Sequence, residues 1–119
     1  MAQETILLVE DEPAVRQLFA TALTRAGYKV IEARNGEEAV KLFDQQADAI
    51  DLLLTDMRMP YMGGADLAKE LRTRKSDLRL ICISGYPGSG GTEVSTDFLA
   101  KPFSRDEMLR KVRDVLDRP

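Results

Sequence analysis

The residues of this 119-residue chain that could do chemistry stand at the ends of short apolar runs. Ile6-Leu7-Leu8-Val9 leads into Glu10-Asp11-Glu12, and Leu52-Leu53-Leu54-Thr55 leads into Asp56. Leu80-Ile81-Cys82-Ile83 leads into Ser84, and Phe98-Leu99-Ala100 leads into Lys101-Pro102. Clustered carboxylates repel one another, and a cation between them relieves that repulsion. With oxygen donors only, the favoured ion is a hard one, Mg2+ before Ca2+, because the set is small and leaves room for water and phosphate oxygens. A carboxylate can itself be the nucleophile in phosphoryl transfer, forming an aspartyl phosphate. An ammonium, a hydroxyl and a divalent ion around the transferred oxygens would stabilise their charge. Asp56 has no neighbouring acid and suits the nucleophile; Glu10 and Asp11 suit the metal. Each residue also has an ordinary reading: Glu12 as a helix cap, Ser84 as a strand-end hydroxyl, Lys101 as a solvated charge. Independent caps and surface charges need not place three chemical types at matching strand ends.

The elements that must position these groups are legible as a periodic pattern. Short continuous apolar runs read as strands buried on both faces, and the stretches between them carry helical spacing. After Pro13, with Asp11 or Glu12 placed to cap, Val15, Leu18, Phe19, Ala22 and Leu23 form an inward stripe that Gly27 ends. Tyr28 to Ile31 reads as a second strand. Asn35-Gly36 opens a helix bearing Ala39, Val40, Leu42 and Phe43, with Glu37 and Glu38 favouring its dipole. Met57 to Gly63 is a loop marked by Pro60 and the Gly63-Gly64 pair. Leu67, Ala68 and Leu71 mark a third helix, and the Lys69 to Lys75 charges read as its solvated face. Ser104 and Glu107 form a capping-box signature ahead of a last helix with Met108, Val112, Val115 and Leu116 inward. Five alternations of strand and helix predict a parallel sheet covered by helices on both faces, whose ligands bind outside the carboxyl ends of the strands. Between Ser84 and Phe98, Gly85, Gly88, Gly90 and Gly91 crowd together with Pro87, so the fourth helix is expected to be short or degenerate.

Composition narrows the function classes. Seventeen basic and twenty acidic residues give a net charge of −3, which argues against a binder of phosphate backbones; no nucleic-acid partner is expected. The absence of His excludes His-based acid–base work, His zinc ligands and a Ser-His-Asp triad. The single cysteine, Cys82, rules out an internal disulfide, reads as a small core hydrophobe and suits a reducing, cytoplasmic compartment. Met57, Met59 and Met62 read as loop and packing residues. No apolar run approaches the length of a membrane span, and no signal-peptide core is present. The expected organisation is one domain, 1–119 with its core over 5–117, and no effector domain.

From Ile6 to Leu116 the chain resembles the receiver domains of two-component response regulators. Glu10-Asp11 is similar to the family's acidic pair after the first strand, and Asp56 in Asp56-Met57-Arg58-Met59-Pro60, followed by Gly63, to its phosphoacceptor and loop. Ser84 matches the switch hydroxyl with the small Gly85 next to it, Lys101-Pro102-Phe103 the family's lysine and proline, and Phe98 the switch aromatic. The resemblance implies a flavodoxin-like (βα)5 fold, a doubly wound parallel five-stranded sheet of order 2-1-3-4-5. It implies Mg2+, with Mn2+ as the alternative, held by Glu10, Asp11, Asp56 and the backbone carbonyl of Arg58. It implies a histidine kinase or histidine phosphotransfer domain as donor, since this chain has no His, and a Lys101-Pro102 bond of the kind commonly cis in the family. Phosphorylation of Asp56 would draw Ser84 inward and let Phe98 rotate, while Arg58 and Tyr86 flank the site where the family tunes acyl-phosphate lifetime.

Glu10 stands where the family more often has Asp, and the Ser84-to-Lys101 interval is shorter than in many receivers. The degenerate fourth helix bears on a face that much of the family uses to dimerise, so the oligomeric state stays open. The phrases Ser84-Gly85-Tyr86-Pro87 and Phe98-Leu99-Ala100-Lys101-Pro102-Phe103 resemble receivers attached to hybrid sensor histidine kinases. A stand-alone turnover enzyme is not expected. Of the alternatives, a haloacid-dehalogenase-type phosphatase wants a second Asp two residues after the nucleophile, where this chain has Arg58. A degenerate receiver acting as a binding module would lack phosphorylation residues that are present here.

Overall fold

Register along five parallel strands is what aligns the chemical groups. The computed structural model describes residues 3–57, 62–84 and 97–118, with the Ser84 side chain left out of that description. The strands are β1 (Thr5–Val9), β2 (Lys29–Ala33), β3 (Leu52–Asp56), β4 (Arg79–Ser84) and β5 (Asp97–Ala100). They pair in the order β2-β1-β3-β4-β5, all parallel. The described helices are α1 (Pro13–Arg25), α2 (Gly36–Gln46), α3 (Gly64–Arg72) and α4 (Arg105–Leu116), with a 3₁₀ turn at Ala47–Ala49. The short or degenerate fourth helix expected from the glycine-rich stretch falls at 85–96, outside the described residues.

Side-chain alternation divides the core into two layers. On one face Ile6, Leu8, Leu52, Leu54, Ile81 and Ile83 pack against Ala20 and Leu23 of α1 and Met108, Val112 and Val115 of α4. On the other, Leu7, Val9, Leu53, Leu80 and Cys82 pack against Ala39 and Phe43 of α2 and Leu67, Ala68 and Leu71 of α3. Every residue of β1 and β3 is buried, which is why both read as continuous apolar runs rather than alternating ones.

Local chemistry ends the helices largely where the sequence places the signals. Gly27 takes φ of 103°, the left-handed turn that stops α1. The Asn35 side chain accepts the Glu38 N–H at 2.7 Å, and Glu38 in turn accepts the Arg34 N–H at 2.9 Å. The Ser104–Glu107 capping box forms reciprocally, with both bonds close to 3 Å.

Three expectations need correction. Leu18, assigned to the inward stripe of α1, is 66% exposed; the helix turns its Phe19-Ala20-Leu23 side to the sheet and leaves Leu18 beyond the edge of that contact. Glu12 occupies the N-cap position of α1 but makes no side-chain cap bond, and the turn is held by Glu10 instead. The Lys69 to Lys75 charges are not simply a solvated face. Arg72 donates to the Leu78 carbonyl at 3.0 Å and Lys75 to the Ile50 carbonyl at 2.7 Å, because the segments leading into β4 and β3 leave carbonyls that need donors. Phe43→Ala is expected to cost about 3–5 kcal/mol in urea unfolding. Leu18→Ala should stay within about 0.5 kcal/mol of the parent.

Candidate functional site

The C-terminal edge of the sheet gathers the acids. Val9 lies opposite Thr55, so Glu10, the next residue, comes level with Asp56 at the end of β3. Asp56 pairs in register with Ile83, and Ser84 with Ala100, which carries Lys101 to the same edge. Carboxylate oxygens of Glu10, Asp11 and Asp56 lie within 4.8 Å of one another. Lys101 Nζ donates to Asp56 Oδ2 at 3.2 Å. Glu10 and Asp56 are only 2% and 6% exposed, whereas the Lys101 side chain is 42% exposed, so the ammonium closes the site from the solvent side.

Two charged carboxylates at such a separation repel by roughly 3–4 kcal/mol at an effective dielectric constant near 20. Burial pushes the Glu10 carboxyl up to about 7; Asp56 and Asp11 add to the rise, and the Glu12 N–H, donating to Glu10 Oε2 at 3.0 Å, works against it. The other oxygen, Oε1, is buried and accepts no hydrogen bond from any described residue. A buried oxygen without a donor, beside two further carboxylates, is the environment a hard divalent ion fits, and the donor set is oxygen throughout.

The backbone under Asp56 is tightly packed. A Cβ on Gly64 would stand 2.6 Å from the Asp56 carbonyl oxygen, so the first residue of α3 must be Gly for the helix to start against the end of β3. The Thr55 hydroxyl, fully buried, donates to that same carbonyl at 3.1 Å. Phe98 is half-buried in β5 and packs on the α2–α3 layer. The Lys101-Pro102 peptide is cis.

Of the residues singled out in the sequence, the fold brings Glu10, Asp11, Asp56 and Lys101 together and leaves Phe98 in the adjoining strand. Ser84 ends β4 beside them by its backbone; its hydroxyl, the Arg58 carbonyl and Tyr86 lie outside the described residues. The sequence reading missed Arg16. Its guanidinium donates to the Glu10 carbonyl at 2.8 Å and faces Glu32 of β2 at 3.5 Å. A basic residue six positions after Glu10, on a helix whose rotation was unknown, gave no signal of that contact.

A doubly wound parallel sheet that delivers an acid pair, an aspartate and a lysine to one edge defines an α/β domain with an acid cluster at its strand ends and the Lys101 ammonium bonded to it. The chain belongs to the response regulator receiver domains, the family whose model matches residues 6–113. It is thus a receiver domain of the two-component systems. It is 36% identical over 119 residues to the sensor kinase CckA of Brucella abortus, covering 96% of this chain and 13% of that protein. The chain spans half or less of the length of the curated relatives it matches first. The crystal structure of the receiver domain of the hybrid histidine kinase CckA superposes with a TM-score of 0.85 at 38% identity, covering 95% of this chain and 99% of that one. The response regulator TrrA of Thermotoga maritima, solved in complex with Mg2+-BeF, gives 0.85 at 34% identity over 95% of this chain and 99% of that one. TrrA in complex with the histidine kinase ThkA gives 0.84 at the same identity, covering 97% and 100%.

The raised Glu10 carboxyl makes stability depend on pH. Without divalent ions the folded state keeps that proton up to about pH 7, while an unfolded glutamate releases it near 4.5, so the folded form binds more protons between these values. This contribution is present in full below about pH 4.5, declines as the pH rises, and is gone above about 7. Melting temperatures in a chelator should show this decline in the wild type relative to Glu10→Gln, which cannot titrate there.

Proposed function

We propose that Asp56 is the phosphoacceptor of this receiver and that Glu10, Asp11 and Asp56, with the Arg58 carbonyl, form its Mg2+ site. The single observation that carries the reading is the position of Asp56: one carboxylate, almost fully buried, faces the acid pair and takes the Lys101 ammonium at 3.2 Å. Mn2+ would fit the same oxygen set. When bound, the ion supplies Lewis-acid stabilisation of phosphoryl oxygens and neutralises the repulsion among the carboxylates.

An Asp56 oxygen attacks the phosphorus of a phosphohistidine presented by a histidine kinase or a histidine phosphotransfer domain. The new O–P bond forms as the P–N bond breaks, and the electron pair leaves with the imidazole nitrogen. Lys101, already bonded to Asp56, is placed to follow the charge onto the phosphoryl oxygens. Burial of Asp56 excludes bulk water from the acyl phosphate. Ser84, one residue beyond the level of Asp56, then donates to the new phosphoryl group, and Phe98 moves into the space it vacates. Arg58 and Tyr86 tune how fast water removes the group. The chain promotes its own phosphorylation and dephosphorylation and turns over no separate substrate. TrrA in complex with ThkA and the receiver of CckA, a hybrid histidine kinase, support a kinase partner, and either arrangement, attached or free, suits this domain of 1–119 with its core over 5–117. No described helix is long and apolar enough to cross a membrane, and a cytoplasmic location fits the proposed donor.

Incubation with a small phosphoryl donor and Mg2+ should add one phosphate to the intact mass. Asp56→Ala should abolish the adduct and chelation should prevent it, while Lys101→Ala should slow its appearance by at least tenfold. Steady turnover of a phosphate ester without an adduct would overturn the reading.

A further inference from the structure

Arg16 closes the first turn of α1, outside the acid cluster, and its side chain is 19% exposed, low for an arginine. Its Nη1 donates to the backbone carbonyl of Glu10 at 2.8 Å, and its Nε faces a Glu32 carboxylate oxygen at 3.5 Å. The Glu10 N–H is held as well, donating to the Ala33 carbonyl of β2 at 3.1 Å. Glu10 is therefore clamped on both sides of its peptide backbone, one side by sheet pairing that any residue would make and the other by this one guanidinium. The carbonyl lies just beyond the end of β1, between Glu10 and Asp11, so its orientation sets the direction in which both acids leave the strand.

We propose that Arg16 is a positioning residue for divalent-ion binding, holding the Glu10–Asp11 peptide so that the two carboxylates converge with Asp56. The inference rests on the metal-site reading above. Guanidinium suits the task because it is always charged and spans two acceptors with one rigid fork, the carbonyl of β1's exit and the carboxylate on β2. Two opposed effects give the inference a sign. As a cation near an anionic pocket, Arg16 would repel Mg2+, so removing it by charge alone would tighten binding. As a strut, its loss frees the acid pair and loosens binding. Supporting groups around metal ligands commonly contribute ten- to a hundredfold in affinity.

The experiment is calorimetric titration of Mg2+ into the wild type, Arg16→Met and Arg16→Lys, with melting temperatures measured in chelator. Arg16→Met keeps most of the aliphatic stem, and Arg16→Lys keeps a charge and a single donor group. The expected result is an Mg2+ dissociation constant raised about tenfold or more in Arg16→Met, and less in Arg16→Lys. Arg16→Lys also carries the test if Arg16→Met does not fold. Unchanged or tighter Mg2+ binding in the folded variants would overturn the inference, including where the chelated melting temperature falls, since that pattern marks a purely structural arginine. A wild type that binds no Mg2+ would instead overturn the metal-site reading, and the inference with it.

Discussion

The constraint on which the site depends is the mutual repulsion of three carboxylates held within 4.8 Å of one another at the end of a buried sheet. No arrangement of the chain removes it; the fold can only distribute it. The Lys101 ammonium takes one Asp56 oxygen, the Glu12 N–H takes one Glu10 oxygen, and burial shifts Glu10 toward its neutral form. One oxygen, Glu10 Oε1, is left without a donor among the described residues. That corner keeps a standing preference for positive charge, the property the proposed Mg2+ site calls on.

The remainder of the structure keeps that corner from relaxing. The sheet is buried on both faces, with α1 and α4 against one and α2 and α3 against the other, so β1 and β3 cannot slide apart without opening both layers. Gly64 lets α3 begin in contact with the Asp56 backbone, and the Thr55 hydroxyl holds the same carbonyl. Arg16 ties the exit of β1 to β2. These contacts are backbone-directed, as suits a site whose carboxylates must converge against their own charge.

Much of this was legible in the sequence because it is written locally. Continuous apolar runs announced the two-face burial of β1 and β3, and the Ser104–Glu107 box and Gly27 announced helix ends, since capping and left-handed turns depend on a few adjacent residues. Except for Glu12, whose place as cap is taken by Glu10, the errors arose where the answer depends on how an element docks against its neighbours. Leu18 fits the helical period as well as Phe19 or Ala22, and only docking of α1 on the sheet shows that its place is at the margin. Arg72 and Lys75 carry no mark that distinguishes a bracing charge from a solvated one; the distinction is made by carbonyls of Leu78 and Ile50 that come near in space.

The sequence by itself determined the chemical inventory and its edge: carboxylates, a hydroxyl and an ammonium, each directly after a run that can only be a buried strand, and no histidine to serve as an internal donor. Strand ends are local features, so residue order suffices to find them. Only the tertiary structure decided which of these groups meet. Parallel register sets Glu10 level with Asp56, the β4–β5 pairing brings Lys101 within hydrogen-bonding distance, and the rotation of α1 turns Arg16 onto the back of the acid pair. Those distances depend on contacts between residues far apart in the chain, and charge acts through distance in space, whatever the separation along the sequence.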